Sequence, residues 1–529
     1  MPSGDDIYRR AIELGRAGQL DAAIDWLHAH DIASHAAALG LMGSLLSMKE
    51  QPGPALRYFM RSLALDPKQA VVLSDMGVTL TKLNRPAEAL SCFDEALALD
   101  PSQVQALNNR SHHWLEMRRG EPALRDAEAA LAVQPGLAPA HRQRARALLL
   151  LDRPAEALES IDAALDLAPG DARSHSARVE ILDALGRHEH AIQAHDEAVA
   201  LSSTAEAAFR RAFSRLRHHE FAQGWRDYDA RWSEAGFVRA SWRHAPQWLA
   251  RRAGADASLA GQRVLVVGEQ GIGDEIMFAG LIPDLLTEAA SVVWIADARL
   301  LNLLRASFPA AEFVAGLDGL DPAAFDRIVP AGDLCRRYRN SLESFGGAPY
   351  LRPAASAMAD WSRRLGPRGA PLRIGLSWKG GLFNTGQHRR SLDLDALRPL
   401  LDREDCEFVS LQYGDVEAEI DAANLGLKRP IRRFAQAATD GFEDLAGLIL
   451  SLDAVVSVQT ALVHLAGAVG APCLAMIPSF AEWRYGDAGE TMPWYRSVGL
   501  FRQTRPGAWG SVLDRVGAAL DGLAGKDSK

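Results

Sequence analysis

Over the first 230 residues, small and apolar positions return at a fixed step of 34. Ala55-Leu56, Ala89-Leu90, Ala123-Leu124, Ala157-Leu158 and Ala191-Ile192 keep that step, and so do Pro67, Pro101, Pro135 and Pro169. Residues 84–101, NRPAEALSCFDEALALDP, and 152–169, DRPAEALESIDAALDLAP, are near copies. This spacing predicts stacked helix–turn–helix pairs. Alanines let paired helices approach, Leu and Phe fill the space between pairs, and proline, which has no amide hydrogen, closes each second helix. GQLDAAIDWL (18–27) is offset by two residues and HHEFAQGWRDYDARW (218–232) is divergent. They read as the first and last members of the array, where capping repeats depart from the consensus.

A 34-residue helical period of this kind is the tetratricopeptide pattern. Such an array predicts an α-solenoid whose concave groove takes a protein or peptide partner; a packing or dimerisation role is the alternative. Residues 233–260 lose periodicity and read as a linker, with Trp242 and Trp248 pointing to docking.

From residue 261 the pattern changes to short β-branched runs alternating with helical stretches, the mark of α/β architecture. A first half, 261–368, predicts strand 263–267, helix 275–287, strand 292–296, helix 298–307 and strands 312–314 and 326–329. A second half, 369–529, predicts strands at LRIGLSW, EFVSLQ, AVVSV and PCLAMIP, with helices near 443–451 and 461–469. Each half reads as an open parallel sheet. Such sheets bind ligands at the carboxyl ends of their strands, and two of them would face each other across a cleft.

Composition narrows the functions. The 529 residues suit several domains, here 1–232, the linker 233–260, 261–368 and 369–529. A net charge of −9 gives no basic footprint for nucleic acid. Cys92, Cys335, Cys406 and Cys473 form no CxxC pair, which fits a reducing compartment. The N-terminus lacks the apolar core of a signal peptide. The most apolar stretch, 445–477, is broken by Asp453, Gln459 and His464. The expectation is a cytoplasmic protein that does not span a membrane. The histidines of the repeats, such as His112-His113, fall into no metal-ligand spacing and read as helix-surface residues.

Three stretches carry candidate chemistry. GEQGIGDEIMFAG (268–280) follows a strand, yet has neither GxGxxG nor GKS/GKT spacing. Gly271 and Gly273 give a tight turn that another molecule can approach. Asp274 then stands at a helix start, either as an N-cap or as a group facing a ligand. In DAVVSVQTALVHLAGAVGAP (453–472), Thr460 caps a helix whose first amides could hold a phosphate, and His464 lies one turn in. It is either a half-buried structural histidine or a cleft residue. In SWKGGLFNTGQHRRSL (377–392), Lys379, His388, Arg389 and Arg390 suit a diphosphate, with a solvated loop as the alternative.

These segments, with FVSLQ and WRYGD…MPWYRSVGLFRQ, resemble bacterial proteins that join tetratricopeptide repeats to a family-9-like glycosyltransferase domain, similar to ADP-heptose:lipopolysaccharide heptosyltransferases. The resemblance covers nearly the whole chain. It is looser toward tetratricopeptide-bearing protein O-glycosyltransferases and flagellin glycosyltransferases. It implies a GT-B fold, two Rossmann-like halves with the acceptor on the first and a nucleotide-sugar donor mainly on the second. It also implies an inverting reaction that needs no metal and no cofactor beyond the donor substrate. Asp274 matches the aspartate proposed to take the acceptor's proton. Lys379, Arg389 and Arg390 match diphosphate cations, Thr460 and the Ala461 and Leu462 amides the anion-binding helix start, and His464 the histidine of that helix. Gln412 and Asp444 are further candidates on the nucleoside side.

One departure stands out. Where the family commonly has Asp-Thr, this chain has Gln459-Thr460. Glutamine keeps hydrogen bonding but loses the charge. The donor need not be a heptose, and an anionic sugar carried on CMP would tolerate the neutral side chain better. The first function to weigh is an inverting glycosyltransferase whose repeat array presents a protein acceptor, flagellin or another surface protein. The competing functions are a glycan-directed transferase and a non-catalytic adaptor with a degenerate transferase domain.

Overall fold

In a computed structural model the described residues are 3–202, 205–233, 254, 256–381, 390–434, 441–479, 481–505 and 507–524. The chain divides into two compact units, Met1–Ser202 and Ser203–Lys529.

The first unit is helical throughout, from Gly4–Arg16 to His188–Ser202. The periodic alanines are its close contacts: Ala55, Ala89, Ala123, Ala157 and Ala191 are all fully buried. Glycine supplies the same closeness where a ring must fit. A Cβ on Gly77 would stand 2.6 Å from the Phe93 ring, and one on Gly43 equally close to Phe59. Each turn within a pair places one residue in the left-handed region; Glu50, Asn84, Arg118, Asp152 and Gly186 step by 34, and Gly18 of the offset first pair stands two residues out of that step. The following amide closes back on the first helix, as in Arg153 N to Leu148 O at 2.9 Å. This is the Schellman closure that satisfies free carbonyls at a helix end. Arg110, Arg144 and Arg178 add an ion-pair ladder of the same period, to Asp94, Glu128 and Asp162.

The second unit opens with the helices Ala205–Arg217 and Phe221–Tyr228. They share the array's turn, with His219 left-handed (φ 63°) and Glu220 N bonded to Arg215 O at 2.9 Å. The divergent last member is therefore a helix–turn–helix. It packs with the α/β unit, so the compact division falls after Ser202 rather than after residue 232. Trp225 Nε1 donates to Arg339 O at 2.7 Å. Arg231, buried beneath Tyr228, donates to Glu269 and Asp333. Residues 234–253, with Trp242 and Trp248, lie outside the described residues.

Two sheets follow. Strands β1 (Arg263–Val267), β2 (Ser291–Ile295), β3 (Glu312–Val314) and β4 (Arg327–Pro330) form a parallel sheet of order β3-β2-β1-β4. Strands β5 (Leu372–Ser377), β6 (Cys406–Ser410), β7 (Ala454–Val458), β8 (Cys473–Ile477), β9 (Thr491–Met492) and β10 (Tyr495–Arg502) form a second, of order β6-β5-β7-β8-β10-β9. Only β9 runs antiparallel to its neighbour. Every residue of β5 and β7 is buried, which explains why both are mostly apolar, with Arg373, Ser377 and Ser457 the buried exceptions.

The expected helix 275–287 is two helices, Ile272–Ala279 and Ile282–Leu286. Pro283, which has no amide to donate, sits in the first turn of the second, where no intrahelical partner is lost. The expected helix 298–307 begins with a 3₁₀ turn, Ala298–Leu300. Strands β9 and β10 and the helices Ala355–Leu365 and Gly510–Ala524 were not among the expected elements.

Candidate functional site

Segments that follow β1, β5, β6, β7 and β8 line one cleft of about 700 Å³. Gly271, Gly273, Asp274, Arg390, Gln459, Thr460, Ala461 and His464 all lie on its wall, so most of the expected residues do come together.

The loop after β1 turns through Gln270, a non-glycine residue held at φ +64°. Strain of this kind concentrates at binding sites. Gly271 is the N-cap of Ile272–Ala279, and Asp274 is the third helical residue rather than the cap itself. Its carboxylate reaches back to Gly271 N at 3.4 Å through Oδ2. Oδ1 accepts from Arg484 Nε at 2.7 Å and from Nη2 of the same guanidinium. Asp274 is 8% exposed, so this ion pair is largely desolvated. Arg484 sits on the turn Trp483–Tyr485 after β8, 4.8 Å over the Trp483 ring. Burial opposes its charge, but Asp274 and Glu482 more than offset that and hold the guanidinium protonated, above its ordinary pKa.

The opposite wall is the start of Ala461–Val469. Thr460 is extended and caps the helix, its Oγ1 accepting from Leu462 N at 3.2 Å. Of the two amides expected to bind an anion, Leu462's is thus engaged, while Ala461's has no protein partner among the described residues. The two helix starts abut. A Cβ on Gly273 would lie 3.4 Å from Ala461 Cα and 3.3 Å from His464 Cδ2, so glycine is what lets them meet. Two positive dipole ends then share one cleft, a setting that favours anions.

His464 is buried, with Nδ1 3.3 Å from the Tyr495 hydroxyl. Burial, and then the Arg484 charge, push its pKa down to about 3, so the ring is neutral and adds no cation to the site. It therefore has both characters left open by the sequence: it is structural and it lines the cleft. Gln459 is 3% exposed, and its Nε2 has no hydrogen-bond partner among the described residues. Arg390 packs against Gly381, with Nη1 3.5 Å from Glu482 Oε1.

Three expected residues are placed elsewhere. Lys379 pairs with Glu419 at 2.5 Å and is absent from the cleft wall. A carboxylate within reach on the Glu417–Asn424 helix wins its ammonium. Gln412 is a structural staple: its Oε1 accepts from Ser377 Oγ, Trp378 N and Lys379 N, and its Nε2 donates to Lys379 O and Tyr413 O. Asp444 accepts from Trp361 Nε1 at 2.9 Å and is likewise absent from the wall. Arg389 and His388 lie outside the described residues.

Sequence reasoning missed Gln270, Arg484, Glu482 and Phe213, all on the wall. Phe213 comes from the helical hairpin and stacks on Trp483 at 6.4 Å. The available signal was an arginine between two aromatics, Trp483-Arg484-Tyr485, a setting that holds a guanidinium by its face.

A tetratricopeptide repeat family model matches residues 70–103. The chain carries tetratricopeptide repeats. Protein FlbA of Caulobacter vibrioides (strain ATCC 19089 / CIP 103742 / CB 15) is 31% identical over 339 residues, 60% of this chain and 55% of FlbA. The chain thus spans about half the length of that curated relative. Among solved structures, a tetratricopeptide repeat protein from Parabacteroides merdae ATCC 43184 is 18% identical, with a TM-score of 0.37 over 44% of this chain and 93% of that one. A thermophilic tetratricopeptide repeat protein from Thermus thermophilus is 24% identical, with a TM-score of 0.32 over 34% of this chain and 99% of that one. Among the described residues, no helix is long and apolar enough to cross a membrane.

Proposed function

We propose that the chain is an inverting glycosyltransferase of GT-B type that moves a sugar from a nucleotide donor to an acceptor hydroxyl. The observation that carries this reading is the meeting of two helix starts in one cleft, with a carboxylate on one wall and arginines and an open amide on the other. In the reaction, the acceptor oxygen attacks the sugar's anomeric carbon while its proton passes to Asp274, whose Oδ2 has only one long contact among the described residues. The bond from that carbon to the leaving phosphate oxygen breaks, and the oxygen keeps the electron pair. Arg390, Arg484 and the Ala461 amide meet the charge that develops there. A general base needs hydrogen-bond reach to the attacking hydroxyl.

The repeats support a protein acceptor, since tetratricopeptide arrays bind proteins; a surface protein such as flagellin fits this reading. The adaptor reading draws on Gln459 and on the ion pair that occupies Asp274. Melting the full chain with nucleotide sugars separates the two. A transferase is stabilised by at least one donor and releases its free nucleotide slowly to water. Asp274→Ala should keep the stabilisation and lose turnover at least about 100-fold. Unchanged turnover in that variant refutes the base, and no stabilisation by any donor favours the adaptor.

A further inference from the structure

We propose that Arg484 is shared between Asp274 and the phosphates of the donor, so that donor binding draws the guanidinium away and frees the carboxylate. The inference rests on the nucleotide-sugar reading.

Strands β5, β7 and β8 are consecutive neighbours in their sheet. Beyond its carboxyl end each delivers one group to the same cleft: Arg390 after β5, the Ala461 helix start after β7, and Arg484 after β8. Neighbouring strands lie about 4.8 Å apart, so the three elements spring from one row and converge on the cleft. Arg484 is the member of that row whose charge is held by the other sheet, on Asp274.

Its bonding leaves room for exchange. Nε and Nη2 both go to the single oxygen Oδ1, while Nη1 has, among the described residues, only Glu482 Oε2 at 3.7 Å. A fork-to-fork pair would use both carboxylate oxygens; this one does not. A phosphate offers more charge and more acceptor atoms than one carboxylate oxygen. The Trp483 ring under the guanidinium keeps its attraction to the cation as the group pivots. A third acceptor, Gln270 Oε1, lies 3.5 Å from Nη2 on the strained loop. Arg484 thus links an empty donor site to an occupied base, and a filled donor site to a free one.

Calorimetry on the full chain, with ADP, GDP, UDP and CMP as probes, tests this. For whichever probe binds, Arg484→Gln should weaken affinity at least about tenfold, and Asp274→Asn should tighten it about threefold or more by releasing the guanidinium. The Asp274→Asn gain should shrink below about twofold in the Arg484→Gln background, because the two changes act through one group. Lys379→Gln should stay within about twofold of the parent. Arg484→Lys, which keeps the charge without the fork, should fall between parent and Arg484→Gln, and it carries the same cycle if the glutamine variant does not fold. An equal Asp274→Asn gain with and without Arg484, or parental affinity in Arg484→Gln, overturns the sharing while leaving the transferase reading intact. If no probe binds the parent chain, the transferase reading falls first and takes this inference with it.

Discussion

His464 shows how one buried side chain ties stability to pH. With a folded pKa of about 3 and an ordinary value near 6.5, it stays neutral in the fold where the unfolded chain protonates. Between those values the unfolded state holds more protons. The contribution is therefore whole above about pH 6.5 and is lost as pH falls toward 3, at about 1.4 kcal/mol per pH unit. Denaturant melts from pH 7 to pH 4 should show His464→Gln with an acid limb shallower by one proton, and an equal slope would place the ring in a more solvated setting. Because the ring is neutral, nucleotide affinity should show no step from it near pH 6.5.

Among the elements, the turn within each helix pair is the simplest to test. Asp152 holds φ +60° in a turn that glycine adopts without its Cβ penalty. Asp152→Gly should raise stability by about 0.5–1 kcal/mol, read as a higher urea midpoint with unchanged slope. A loss would mean that the aspartate side chain makes a contact worth more than the strain. This scale is also where the sequence was most legible. The alanine and proline period announces the helix pairs because close helical contact selects small side chains, and β1, β5 and β7 are legible because buried strands are mostly apolar. The site was harder. Asp274 and Thr460 could be placed because each stands at a helix start in the loop that leaves a strand. Lys379 was misplaced because its partner Glu419 is 40 residues away, and long-range pairing leaves no local pattern. Arg484 escaped for the same reason, since its partner is 210 residues distant on the other sheet.

In the α/β unit as a whole, the hairpin that ends the repeat pattern is part of the fold beside it. Arg231 is buried with Glu269 and Asp333, and Glu269 directly precedes the strained Gln270. Burial raises the Glu269 pKa even with Arg231 beside it. Removing the guanidinium leaves two carboxyls facing each other away from water. Arg231→Met should cost about 3–5 kcal/mol in denaturant melts, and a cost below about 1 kcal/mol would show that the cluster protonates without penalty. It follows that a truncation meant to separate the repeats from the cleft should begin at residue 203, since a cut near 230 removes Phe213 from the cleft wall.

The account turns on the cleft as a donor site. The most direct measurement is a crystal structure of the full chain soaked with whichever nucleotide raises its melting temperature. The account predicts phosphate density within hydrogen-bond distance of the Ala461 amide and the Arg390 guanidinium. Density on another surface of the chain, or phosphates that leave both groups untouched, would contradict it.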